Sequence, residues 1–544
     1  MQAEEIFIGL DVGTQSTKAV LYHPSSQSIK ARAGSLYDLD ESSNPSRKEQ
    51  HPHKWIRALH ICLKELSKII EREGYAVRGI GVSGQQHGMV LTDENFHVLR
   101  SAKLWCDVEA SAEAKEFSEK ATKAMKNIVG EDCVWSIPAG FTAPKVLWVK
   151  KNEPELFEKV RWVMLPHDYV NLCLKTGVGY NMKMNEKVED YKPDDDESFR
   201  LEMPTTDAGD ASGTGLLHPS KPEYVPELAA IIDSRYEAYL PKIQGPNEVS
   251  GYLSANWKKA TGIDPDNLID IPISVGSGDN MMSALGSKLR PGNAVMSLGT
   301  SGTIFGVSDT PVQTGTPVAA FNDATGNYLP LACVMSCTGV LNQVLEHWCS
   351  IPGKSEVSLS HLEASKLAAS VPPGCHGLTF LPYLGGERTP DWPMATGALL
   401  GVTPNNMCCM AGGSPGIMYR AAMEGISYLM ADALDQMRQS CGDGFKPKSL
   451  MVVGGGSKNH LWRQMLADVL QLDLRFPLEP ETAALGAAFQ AGAAATSTKV
   501  NLYVSKQNVE IEEGIVTPSK DADIIQSYHD GFQRYMKYSR QLNS

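Results

Sequence analysis

The sequence predicts an α/β protein of two similar domains with a ligand cleft between them, and three observations predict it. An apolar strand, a Gly-Thr turn and a second apolar strand occur twice, in "LDVGTQSTKAV" (Leu10 to Val20) and in "SLGTSGTIFGV" (Ser297 to Val307). Internal repetition of this kind is a fold-level signal. The chain has 544 residues, enough for two full hydrophobic cores and too many for comfort in one. A third glycine turn, in "LMVVGGGSKNHLWRQMLADVL" (Leu450 to Leu470), again joins an apolar strand to an amphipathic helix.

The elements come in order along the chain. Ile6 to Leu10 reads as a buried strand and Thr17 to Tyr22 as its hairpin partner. Gly13 marks the bend, and the hydroxyls and N–H groups of the turn are suited to cradle an anion. Read alone, the segment is equally an ordinary hairpin. Its second copy, in which Gly299-Thr300 matches Gly13-Thr14 and Thr303 matches Thr17, points to two hairpins gripping one polyphosphate. An amphipathic helix is predicted over about Lys54 to Glu73, with Trp55, Leu59, Leu63 and Leu66 on its apolar face. Val77 to Ser83 reads as a strand. The "GIGVSG" within it satisfies the dinucleotide-binding spacing, but its glycines lie inside the strand and the next segment reads as a hairpin, so no helix comes after it to receive a pyrophosphate.

Lys187 to Arg200 is dense in charge and reads as an exposed insertion. The stretch from Asn247 to Leu268 reads as the start of the second domain, giving predicted domains of 1–246 and 247–544. Near the end, small residues from Ala483 to Ala488 predict a closely packed helix, with room for a purine between it and the helix that Asn459 begins.

Bulk properties exclude several functions. Fifty basic against 63 acidic residues give a net charge of −13 with no basic cluster, which argues against nucleic acid. The acidic start and the lack of a long apolar run predict no secretory signal and no membrane span, hence a cytoplasmic protein. Eleven cysteines show no Cys-x-x-Cys pair, so free thiols are expected rather than a metal or disulfide framework.

The order of a strand ending in Asp-x-Gly-Thr, a second Gly-Thr hairpin and a glycine-rich turn resembles the superfamily of sugar kinases, chaperone ATPases and actin. Within it, "GFTAPKVLWVKKN" (Gly140 to Asn152) matches the first signature of the FGGY carbohydrate kinases at every constrained position. The second signature starts in "GALLGV" and ends in "YRAAMEG", interrupted by a longer loop around Cys408-Cys409. The elements "GVSGQQHGMV", "LWCDVEA", "LPHDYV", "GSGDNMMSALG" and "FLPYLGGERTP" are similar to the branch of that family that phosphorylates D-xylulose.

The resemblance implies two ribonuclease-H-like, actin-like domains and transfer of the γ-phosphoryl of ATP, with Mg²⁺, to the terminal hydroxyl of a ketopentose. D-ribulose or another ketose or polyol is the alternative substrate. A chaperone-like ATPase or a regulatory, non-transferring relative are the alternatives in class. The implied partners are sugar and ATP, for a monomer or homodimer.

Phosphoryl transfer needs a metal-bound triphosphate, a positioned hydroxyl and a carboxylate to take its proton. Asp279, at a strand end before a helix, suits the general base, with a helix-capping aspartate as the plain alternative. Asp11 suits Mg²⁺ with most of its waters retained, or else braces the turn. Gln86, His87, Asp107 and Asn280, with Asp279, are the candidates for reading sugar hydroxyls, and Trp105 for an apolar wall. For the nucleotide the resemblance implies Gly13, Thr14, Gly299, Thr300, Gly339, Gly454, Gly455 and Asn459.

Overall fold

The computed structural model describes residues 3–182, 187–188, 191, 203–349, 359–404, 406, 415–509, 511–512 and 514–543. The chain divides into two compact units. The first comprises residues 1–288, 320–329 and 481–509, and the second residues 289–319, 330–480 and 510–544. Each has its own apolar core.

In the first unit the repeated hairpin is β1 (Glu5–Val12) against β2 (Ser16–His23), continued by β3 (Ser28–Leu36). The helix α1 (Pro52–Glu73) comes next, with Trp55, Leu59, Leu63 and Leu66 buried and Gly74 closing it at φ 69°. Only glycine adopts that conformation without strain. The chain then returns as β4 (Ala76–Gly84), parallel to β1. Further on, β5 (Val249–Tyr252), β6 (Pro272–Ser274) and β7 (Ser277–Gly278) complete a sheet of order β5-β6-β4-β1-β2-β3, with β7 beside β4.

In the second unit β8 (Asn293–Leu298), β9 (Gly302–Gly306), β10 (Tyr328–Val334), β11 (Ser449–Val453) and β12 (Asp473–Arg475) lie in the order β10-β9-β8-β11-β12. The antiparallel hairpin and the two parallel returns reproduce β3-β2-β1-β4-β6 of the first unit strand for strand. The repeat read from the sequence is therefore an architectural one. The second turn is tighter, because Leu298 pairs with Gly302 whereas Val12 pairs with Thr17.

Two expectations are corrected. The predicted boundary at 246 cuts through the first unit: β5 and β6 extend its sheet, and the division falls after Lys288. The small-residue helix α8 (Thr482–Ala495) belongs to the first unit, where it lies on β1 and β4. A Cβ at Gly9 or Gly81 would run into the α8 backbone at Ala484 and Ala487. Gly79 and Gly81 of "GIGVSG" thus serve the close approach of α8 to the sheet, Gly84 makes room for His167, and the small residues of α8 serve the same helix-on-sheet contact.

Four more helices carry or brace the predicted site residues: α2 (Thr142–Asn152), α3 (Pro166–Thr176) and α4 (Asp279–Gly286) in the first unit and α7 (His460–Leu470) in the second. Between α4 and α7 come α5 (Thr338–Trp348) and the long α6 (Pro415–Cys441), which buries the Tyr419–Gly425 end of the interrupted signature. The nine cysteines among the described residues are free, while Cys408-Cys409 and most of the 187–200 insertion lie outside the described residues.

Candidate active site

In the first unit the carboxyl ends of β1, β4 and β7 and the start of α4 carry most of the predicted residues. Gly278 caps α4, so Asp279 is its first helical residue and not its cap. Burial above all, then the like charges of Asp11 and Asp210, push the Asp279 carboxyl up to about 8, against the pull of the amides of Asn280 and Asp279 itself. Asp11 ends β1 opposite Lys18 of β2 and Ser83 of β4. Its Oδ1 accepts from Ser83 Oγ at 2.8 Å, and burial raises it to about 6 although Ser83 and Lys18 draw it down. These two half-buried carboxyls, both held above the usual range, lie near enough that the charge of Asp11 raises Asp279, a repulsion that a divalent cation would relieve. The residues therefore fit Mg²⁺.

Asn280 Nδ2 donates to Gln86 Oε1 at 2.7 Å. Glycine at 278 makes the approach possible, since a Cβ there would lie 2.7 Å from Gln86 Cγ and 3.0 Å from Asp210 Oδ1. His87 is buried, with its Nδ1 3.0 Å from the Gly213 carbonyl, which must receive a proton, so the neutral ring carries its hydrogen on Nδ1. The ring stacks on Phe141 (centroids 4.3 Å apart) and tilts toward Phe321 at 5.6 Å.

Two predicted residues are engaged otherwise. Asp107 is fully buried, accepting from the amides of Lys48 (2.8 Å) and Glu109 (3.1 Å) and lying 3.4 Å from Lys103 Nζ. Its oxygens are committed to bracing that loop, which corrects the expectation that it reads a sugar hydroxyl. Among the described residues, Glu49, Asp107 and Glu109 are the one set of three or more such side chains whose ligand atoms lie close enough to share a metal, but the Lys103 ammonium already pairs with all three. The Thr14 hydroxyl turns inward, donating to Gln85 Oε1 at 3.1 Å and accepting from Trp105 Nε1 at 3.0 Å. Gly13 forms the turn, its N–H on Ser16 O and its carbonyl accepting from Tyr37 Oη.

Behind β4 and α4 lies a buried cluster that the sequence reading missed. His167 Nδ1 is 2.7 Å from Asp210 Oδ2 and its Nε2 3.1 Å from Asp168 Oδ1, while Ser277 Oγ donates to Asp207 Oδ2 at 2.7 Å. Burial opposes charge on the ring, yet Asp168, Asp210 and Asp207 together raise it to about 9. The signal was in "TTDAGDASGT" (Thr205 to Thr214), with two aspartates in a short run of small and hydroxyl residues.

The second unit gathers the remaining residues. Gly299 and Thr300 form the β8–β9 turn, whose carbonyls accept from the N–H groups of Thr338 and Gly339 at 3.0 Å each, so the turn sits on the N-terminus of α5. Gly454 has φ 87°, with Leu298 O 2.7 Å from where a Cβ would be, and Gly455 faces open space. Asn459 caps α7 through Trp462 N at 3.3 Å, and its Nδ2 donates to Ser365 Oγ at 2.9 Å.

Two family models cover this chain. The N-terminal domain of the FGGY family of carbohydrate kinases matches residues 6–286, and the C-terminal domain of the same family matches residues 294–495. The chain belongs to the FGGY family of carbohydrate kinases. Both models break where the two units divide, next to Lys288. This FGGY kinase is 32% identical to a xylulose kinase of Haemophilus influenzae over 99% of its own length and 100% of the relative's. It is 31% identical to the xylulose kinase of Escherichia coli, with 86% of each chain covered. Among solved structures, one described as a xyloylose kinase from Brucella ovis superposes with a TM-score of 0.82 at 28% identity, over 99% of both chains. No described helix of the FGGY kinase is long and apolar enough to cross a membrane.

Proposed function

We propose that this FGGY kinase transfers the γ-phosphoryl of ATP to the terminal hydroxyl of D-xylulose, giving D-xylulose 5-phosphate. Xylulose kinases among its relatives support the sugar, and one observation carries the chemistry. The first unit alone assembles a carboxyl raised to about 8, Asp279, beside the hydrogen-bonded pair Gln86–Asn280. In this reading Asp279 accepts the proton of the attacking hydroxyl, while Gln86, Asn280 and His87 orient the sugar. A carboxyl raised to about 8 retains at neutral pH the proton it receives, and its ionised fraction, which grows as pH rises, is the form that accepts one. Asp11 would hold Mg²⁺, which when bound neutralises charge on the triphosphate. In the second unit Gly299, Thr300, Gly339, Gly454, Gly455 and Asn459 serve the nucleotide. Gly13 and Thr14 act on it through the shape of the first turn.

The test is ADP release with Mg-ATP over a panel of ketoses, aldoses and polyols. D-xylulose is expected to give the highest kcat/KM, exceeding D-ribulose by a factor of about 5 to 150, the worth of one misplaced buried hydroxyl. A preference for D-ribulose overturns the sugar assignment, and ADP release that no sugar stimulates overturns the kinase reading.

A further inference from the structure

Lys145 is fully buried, and among the described residues no carboxylate lies within ion-pair distance of it. Its ammonium instead donates to two main-chain carbonyls, those of Gly140 at 2.6 Å and His87 at 2.9 Å. Burying an ammonium without a counter-ion is among the costlier arrangements in a folded protein. Burial indeed pulls Lys145 down to about 7, with Asp107 and Cys106 acting against it and Lys103 with it. Proton transfer and sugar binding by Asp279, Gln86 and Asn280 make no use of this group.

What it holds is unusual. His87 has φ 62°, in the left-handed region that residues other than glycine seldom occupy. A residue persists there only where its surroundings over-determine it. The same His87 carbonyl that receives Lys145 also receives Thr142 Oγ1 at 3.2 Å. Thr142 and Lys145 stand three residues apart at the start of α2, on one face of the helix. The ring itself is fixed by Gly213 and by Phe141, the residue that caps α2. An ammonium suits the task because it carries several donors on a long stem, enough to tie two separate carbonyls to one point.

We propose that Lys145 and Thr142 clamp the His87 carbonyl, hold His87 in its left-handed conformation and thereby aim its imidazole at the sugar; both are positioning residues. The inference rests on the reading of His87 as a sugar contact and extends it to the residues that make that contact possible.

The experiment uses full-length Lys145→Met, Thr142→Val, His87→Ala and the double variant K145M/H87A. Methionine keeps the length and apolar stem of Lys145 and removes its donors. K145M is expected to raise the KM for D-xylulose by about 10- to 100-fold, the loss of a charged hydrogen bond, and T142V by roughly 3- to 10-fold, that of a neutral one. The KM for ATP stays within about twofold in both, since the clamp touches only the sugar reader. K145M added to H87A is expected to cost nothing further, because the clamp acts through His87.

Wild-type sugar constants in soluble K145M or T142V overturn the clamp, as does full multiplication of the K145M and H87A effects. Should K145M not fold, T142V carries the same test. An unchanged sugar constant in H87A sinks the sugar contact and the aiming role with it. A crystal structure of T142V or K145M without sugar reads the clamp whatever sugar the wild type uses: His87 leaving the left-handed region supports it, and His87 unmoved overturns it.

Discussion

Asn280 and Gln86 are joined by a 2.7 Å hydrogen bond although 194 residues separate them, so the residue after Asp279 is fixed to the end of β4. The bond gives Gln86 one orientation and locks the first turn of α4 against it. Gln86→Ala and Asn280→Ala should each raise the sugar KM by roughly 3- to 10-fold, the worth of one hydrogen bond. Combined, they should cost less than the product of the two. Initial-rate kinetics over the double-mutant cycle measures this, and a full product would show that the pair does not act as a unit.

Asp279→Asn should lower kcat by roughly 10²–10⁴-fold with little change in ATP binding, since only the moving proton is affected. The pH dependence has a definite sign. Because burial, Asp11 and Asp210 raise the carboxyl to about 8, the ionised base accumulates as pH rises, so kcat/KM should climb through a step near pH 8. Asp210→Asn removes one of the like charges and should move that step to lower pH. A profile flat from neutral to alkaline pH in the wild type would remove Asp279 from the reaction.

Two adjacent glycines should separate folding from nucleotide binding. Gly454→Ala places a methyl against Leu298 O at φ 87° and should cost about 1–3 kcal/mol of stability. Gly455→Ala meets open space, so its melting temperature should match wild type. If a nucleotide passes over that turn, the G455A methyl should raise the KM for ATP by roughly 10-fold. Thermal unfolding and ATP titration of both variants check the pair, and an unchanged ATP constant in G455A would take this turn out of the nucleotide site.

What was legible in the sequence was local. The two Gly-Thr hairpins, the α1 stripe and the glycine turn before α7 each depend on neighbours in the chain, and each is present. The domain boundary depended on pairing at long range: Val249–Tyr252 looks like a fresh start until β6 is seen to join β4. Asp107 has the polarity of a sugar reader, and only the fold reveals that Lys103 and two amides already hold it. The same holds for the cluster around His167, whose partners at 207 and 210 are distant in sequence and are brought within ion-pair distance of it only by the fold.

The glycines beneath α8 give a stability test. Gly81→Ala would press a methyl into Ala487 O, a backbone atom with no room to yield, so it should destabilise by about 1–3 kcal/mol or more. Gly74→Ala, where a Cβ meets nothing but φ is 69°, should cost less, about 1 kcal/mol. Chemical denaturation of the two variants compares them. Equal losses would mean that helix and sheet are not in the contact described.

The place of α8 has a consequence for biosynthesis. The sheet of β1 and β4 is made early, but the helix that covers its glycine-lined face is residues 482–495, translated after most of the second unit. At ribosomal speeds of about 5–20 residues per second, that face stays bare for tens of seconds. The unit whose synthesis begins first is thus not complete until residue 509, when most of the other has already been made. A nascent chain halted before residue 482 would carry an uncovered apolar sheet, a substrate for chaperones and a seed for aggregation, even with Gln86, His87, Asp279 and Asn280 already made.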